Sequence, residues 1–88
     1  MPYISEAERD DLASSLNLDG QFGYLIRTAS PGQLNYIITK IVHEYLGDDA
    51  NYERYNDAIG VLESAKLELY RRKVSPYEDK KVDLNGDV

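Results

Sequence analysis

Apolar residues recur three and four positions apart along two long stretches of the chain, and this spacing predicts two amphipathic helices. The first stretch carries Leu34, Ile37, Ile38, Ile41, Val42 and Tyr45 on one face. Ser30-Pro31-Gly32-Gln33 supplies its start, with Ser at the N-cap, Pro at the first helical position and Gln placed to complete a capping box. Gly47 supplies the stop. The β-branched content of this stretch (Ile37, Ile38, Thr39, Ile41, Val42) would also suit a strand, but spacing and caps decide for helix. After the Gly47-Asp48-Asp49 turn, Asn51 caps the second stretch, whose apolar positions are Tyr52, Tyr55, Ile59, Leu62, Ala65 and Leu69, flanked by Ala58, Val61 and Tyr70. Pro76 is expected to stop this helix near Val74. Gly60, in its middle, costs roughly 1 kcal/mol relative to Ala and is read as a point of close approach for another helix.

The remaining segments are more weakly patterned. Ile4, Leu12 and Leu16 form a thin stripe on a first helix capped by Ser5, with Glu6, Glu8, Asp10 and Asp11 in its early turns and Gly20 as its end. Gln21 to Thr28 holds Phe22, Tyr24, Leu25 and Ile26 and reads as a short helix or extended connector, because Gly23 disfavours a long helix. Beyond Pro76 the chain is polar. The expected fold class is therefore all-α: a small helical domain over residues 1–75, built on a long two-helix antiparallel hairpin crossed by a shorter N-terminal helix, followed by an extended C-terminal arm or tail over residues 76–88.

Composition adds a size limit. A chain of 88 residues is one domain and buries only roughly 60–65% of the surface its unfolded form exposes. It has no cysteine, so neither disulfides nor thiolate-bound metal can supplement the core, and self-association is the remaining way to bury more apolar surface. Eight Tyr against one Phe and no Trp favour half-buried, interface-lining positions, and a homo-oligomer is expected. Met1-Pro2-Tyr3-Ile4-Ser5-Glu6 lacks a leader pattern and no apolar run reaches membrane-span length, so the protein reads as cytosolic with no membrane partner. A net charge of −6 argues against non-specific DNA or RNA binding.

Catalytic chemistry finds little support. His43 is the one histidine, on a helix and without a matching nucleophile, so no enzyme activity is expected. Asp83-Leu84-Asn85-Gly86-Asp87 resembles the opening of a calcium loop, but its Gly comes two positions early and no terminal Glu follows. No metal or cofactor is expected. Charge is more informative. Between Lys66 and Lys81 six basic residues stand against Glu68, Glu78 and Asp79, a local +3 that leaves −9 for the rest of the chain. Basic residues at a helix C-terminus also complement its dipole. The functional expectation is an anion site: Arg71 and Arg72 take the charged groups, Lys66, Lys73 and Lys80 add positive potential, and Tyr36, Tyr70 and Tyr77 stack. Asn35, Asn56 and Asp57, in helix interiors where such residues are disfavoured, are assigned to reading base or ribose edges.

An ordered series of motifs carries a resemblance. Pro31-Gly32-Gln33-Leu34-Asn35-Tyr36-Ile37-Ile38-Thr39 is followed by Asn56-Asp57-Ala58-Ile59-Gly60, by Glu63, Lys66, Glu68 and Tyr70-Arg71-Arg72, by Pro76-Tyr77-Glu78-Asp79-Lys80-Lys81, and by Asn85-Gly86-Asp87-Val88. Over residues 31–88 the chain resembles a family of small proteins encoded by tailed phages and prophages. The resemblance implies action in the host bacterial cytoplasm. By analogy the chain is similar to helical, homo-oligomeric phage anti-defence proteins that sequester nucleotide-type immune signals, and a small anionic nucleotide-like ligand is the expected partner. The alternative is an accessory protein that inhibits a host protein by docking, or a small structural virion component.

Overall fold

The computed structural model describes residues 4–87. Met1, Pro2 and Tyr3, part of the segment without a leader pattern, and Val88, the last residue of the final motif, lie outside them. The fold is all-α, and the described residues form five α-helices: α1 (Glu6–Leu16), α2 (Gln21–Arg27), α3 (Pro31–Leu46), α4 (Tyr52–Leu69) and α5 (Ser75–Asn85). A five-residue π turn, Tyr70–Val74, joins α4 to α5. The chain divides into two compact units, Met1–Glu44 and Tyr45–Val88, at a boundary inside α3.

In the first unit, Ser5 caps α1 through its hydroxyl, which accepts from the Glu8 amide at 3.2 Å. The helix ends at Leu16, four residues before the Gly20 expected to stop it. Asn17 takes the left-handed conformation (φ 50°) and donates its amide to the Ala13 carbonyl at 3.1 Å. Asn tolerates that region better than most residues, and so does the work assigned to Gly20, which instead stands before α2. Residues 21–27 are helix rather than extended connector. The α1–α2 corner is tight: Arg27 Nη1 donates to the Leu18 carbonyl at 2.9 Å, and Gly23 is buried beneath the same carbonyl. Ser30 and Gln33 form the expected capping box, with Ser30 N donating to Gln33 Oε1 at 2.9 Å and Gln33 N to Ser30 Oγ at 3.2 Å.

The second unit opens on the last turn of α3. Gly47 follows it at φ 68°, as the stop signal predicts, and Asn51 caps α4 by accepting the Arg54 amide at 2.9 Å. The same Arg54 reaches back across the turn. Its Nη2 and Nε donate to the Tyr45 carbonyl at 2.9 and 3.3 Å, and its guanidinium lies 3.6 Å from the centre of the Tyr45 ring.

The C-terminal segment corrects two expectations. The helix does not stop near Val74, and residues 76–85 are helical rather than extended. Backbone dihedrals stay right-handed through Leu69, Tyr70, Val74 and Ser75. The physical reason is the π turn. Ser75 donates to the Tyr70 carbonyl, five residues back, so the hydrogen-bond register slips by one residue just before Pro76. Pro76 then sits in the first turn of α5, where a missing amide hydrogen is tolerated.

Burial is sparse. Among the described residues only Gly23 and Ala58 are buried, with Ala58 at 6% exposure. Both apolar stripes predicted from the sequence remain open: Leu34, Ile38, Ile41 and Tyr45 on α3, and Tyr52, Tyr55, Ile59, Leu62 and Leu69 on α4, are exposed. Gly60 meets no neighbouring atom within 4 Å of where a Cβ would stand, so the close approach expected there is not made.

Candidate functional site

The π turn sets the geometry of the basic cluster, because it presents Arg71, Arg72 and Lys73 from one widened turn between two regular helices. Both guanidiniums converge on Glu68, one turn earlier on α4. Arg72 Nε donates to Glu68 Oε2 at 2.7 Å, and Arg71 Nη2 lies 3.2 Å from each carboxylate oxygen. The Arg71 and Arg72 side chains are nevertheless 61% and 57% exposed, so these are solvated ion pairs screened by water. Most of each guanidinium fork remains open to an incoming anion. Lys66 pairs with Glu63 at 3.3 Å.

The turn is spanned by a second contact. Tyr70 Oη donates to Glu78 Oε1 at 2.8 Å, linking the residue that opens the π turn to the first turn of α5. The hydrogen bond to Glu78, with the charge of that carboxylate, pushes the Tyr70 phenol up from its usual 10.0. A group whose pKa is raised on folding stabilises the fold below its unfolded value, and that contribution is lost as pH climbs through the raised value. In a spectrophotometric titration of the eight tyrosines, Tyr70→Phe is therefore expected to remove a late-ionising phenol. An unchanged high-pH limb would contradict the bridge.

The other predicted site residues divide in two. Tyr77, Lys80 and Lys81 share one side of α5 at three- and four-residue spacing, with Lys81 Nζ 5.6 Å from the Tyr77 ring centre. They carry basic residues past the turn, on the helix that follows it. Asn56 and Asp57 do not join it. They stand in the first half of α4, and Asn56 precedes Tyr70 by 14 positions, about 20 Å of helix axis. Asn35 and Tyr36 belong to α3 in the other unit, where Lys40 Nζ lies 5.5 Å from the Tyr36 ring centre. There Tyr36 lines an apolar hollow of about 420 Å³ with Leu25, Gly32, Gln33 and Ile37. A further hollow of about 400 Å³ sits at the α3–α4 turn, but Asp48 and Asp49 line it, the wrong sign for an anion.

Two residues that organise the site carry no assigned role in the sequence pattern: Glu68 is the shared counter-ion of the two arginines, and Glu78 orients Tyr70. The Glu68–Arg71 and Glu68–Arg72 spacings, three and four, are a legible helix signal. The eight-residue Tyr70–Glu78 separation is not one. Among the described residues no group of three or more His, Cys, Asp or Glu side chains is placed to hold a metal ion, and His43 is exposed on the last turn of α3. No helix among them is long and apolar enough to cross a membrane.

No curated protein and no solved structure matches the chain. A family model described as a domain of unknown function (DUF6899) matches residues 1–88, and the chain belongs to that family.

Proposed function

We propose that the protein is a phage-encoded, non-enzymatic binder that acts in the host bacterial cytoplasm as a homo-oligomer and holds a small anionic, nucleotide-like immune signal. The observation behind this reading is the +3 segment between Lys66 and Lys81 in a chain of net charge −6. The exposure of Arg71 and Arg72 on the π turn supports it, as does the weakness of the solvated pairs that Glu68 makes with them. An anion with two or more charges replaces one carboxylate at modest cost. Tyr77, with Lys80 and Lys81 on the same side of α5, supplies a stacking face beside the charge. Asn56 and Asp57 are too far along α4 to read the same small ligand from the same chain.

The experiment is calorimetry against cyclic dinucleotides, cyclic trinucleotides and cyclic ADP-ribose isomers. Heat from one class, with affinity lowered at least about 10-fold in Arg71→Ala/Arg72→Ala, supports the proposal, since charged hydrogen bonds contribute roughly 1.5–3 kcal/mol each. No heat from any class sinks it. The engagement of both guanidiniums by Glu68 favours a second reading, inhibition of a host protein by docking. A stable host-protein complex that survives the same double substitution would select that reading.

A further inference from the structure

An exposed face of α4, apolar except for Lys66, which pairs with Glu63, is ordered along its length. Tyr52, Tyr55, Ile59, Leu62, Lys66 and Leu69 fall at spacings of 3, 4, 3, 4 and 3, a series that reads the same in both directions about a midpoint between residues 60 and 61. When two such faces meet antiparallel about a two-fold axis, every member of the stripe meets another member. Tyr52 lies opposite the partner's Leu69, Tyr55 opposite the partner's Lys66, and Ile59 opposite the partner's Leu62.

Charge is ordered about the same midpoint. Residues 48–60 carry Asp48, Asp49, Glu53 and Asp57 against Arg54, a net −3, and residues 61–73 carry Lys66, Arg71, Arg72 and Lys73 against Glu63 and Glu68, a net +2. Antiparallel pairing places each acidic end over the partner's basic end, whereas parallel pairing would stack like charges. The stripe on α3 has no comparable charge blocks, since Lys40, His43 and Glu44 cluster in its second half.

Area favours the same occupant. Tyr52 is 79% and Ile59 66% exposed, and with Tyr55, Leu62 and Leu69 they leave accessible surface on the order of 550 Å² per chain, near the low end of what one partner contributes to a specific interface. The chain as a whole exposes 7807 Å². Two separate compact bodies of half its mass would together expose only roughly 6,300 Å² on the usual scaling.

We propose that α4 is a self-association surface, and that two copies of the chain pair antiparallel through the Tyr52–Leu69 stripe. This rests on the homo-oligomeric part of the proposed function and is independent of the ligand. The pairing leaves the two basic turns at opposite ends of the dimer, each beside the partner's acidic loop, so it makes no single shared anion site, and an anion at either turn competes with those carboxylates as well as with Glu68.

Disulfide trapping tests the geometry, because the chain contains no cysteine of its own. In the antiparallel pair, residue 59 and its symmetry mate are offset by about 4.5 Å along the axis, whereas residue 69 and its mate are about 26 Å apart. Under mild oxidation Ile59→Cys is expected to form a covalent dimer. Leu69→Cys alone forms none, and a mixture of Leu69→Cys with Tyr52→Cys gives the cross-linked pair. Light scattering of the unmodified chain should give twice 10.0 kDa or a multiple of it, and Leu62→Glu should halve that mass while far-ultraviolet circular dichroism stays helical. A monomeric unmodified chain overturns the proposal, and so does Leu69→Cys cross-linking to itself as readily as Ile59→Cys. All of these measurements are made without ligand. A dimer with silent calorimetry therefore retains this inference and loses the anion site, and a monomer that binds nucleotide does the reverse.

Discussion

Gly23→Ala is expected to lower the stability of the N-terminal unit by about 3 kcal/mol, the largest single effect in this chain. A Cβ at that position would stand 1.6 Å from the Leu18 carbonyl oxygen and 2.5 Å from its carbon. Neither atom is the mobile end of a side chain, so the backbone of the α1–α2 corner has to move. When it moves, the Leu18 carbonyl also leaves the Arg27 guanidinium that now donates to it. For a domain of this size, that loss corresponds to a fall in Tm of more than about 10 °C. Thermal melting by circular dichroism measures it. Gly60→Ala is the control, since nothing lies within 4 Å of its Cβ position and its φ needs no glycine. It is expected to raise helix stability by roughly 0.5–1 kcal/mol. Equal behaviour of the two variants would mean that the corner is not packed as described.

Arg54→Ala is expected to cost about 2 kcal/mol and to loosen the α3–α4 turn. Three interactions go together: two hydrogen bonds from a charged guanidinium to the Tyr45 carbonyl, and the stacking of that guanidinium on the Tyr45 ring. The carbonyl belongs to the last turn of α3, where helix carbonyls lack an amide partner within the helix. Arg54→Lys should restore only part of the loss, because an ammonium provides neither the fork nor the planar face. Amide exchange at residues 47–54 distinguishes local loosening from a general effect. Protection there that matches the unmodified chain in Arg54→Ala would rule out the latch.

Helix positions were largely legible in the chain because their signals are local. The Ser30–Gln33 box, the Asn51 cap, the Gly47 stop and the three-four spacing of both long stripes each depend on residues within one or two turns of one another. What was not legible depends on through-space relations. By local rules Gly23 is a helix weakener, whereas it is required by a carbonyl five residues earlier that only the folded corner brings near. Gly20 has the signature of a terminator because glycine commonly ends helices, but Asn17 takes that role by entering the left-handed region first. Pro76 signals a stop by a rule that holds for a regular α register and fails when the register has already slipped. The candidate site was half legible for a similar reason. Charge counting located the basic turn, but chemical suitability alone grouped Asn56 and Asp57 with it, and the rise of α4 separates them.

The π turn also alters the angular bookkeeping of the C-terminal half. Each residue of a regular helix advances about 100° around the axis, so one additional residue in the turn shifts the phase of everything after it by that amount. Tyr77, Val82 and Leu84 therefore do not extend the line of apolar positions that runs along α4, although a count of threes and fours through Tyr70–Val74 would place them near it. Residues 70–74 act as a vernier between two helical faces. A single deletion there would swing every α5 side chain about 100° around the axis and return Pro76 to the interior of a regular helix.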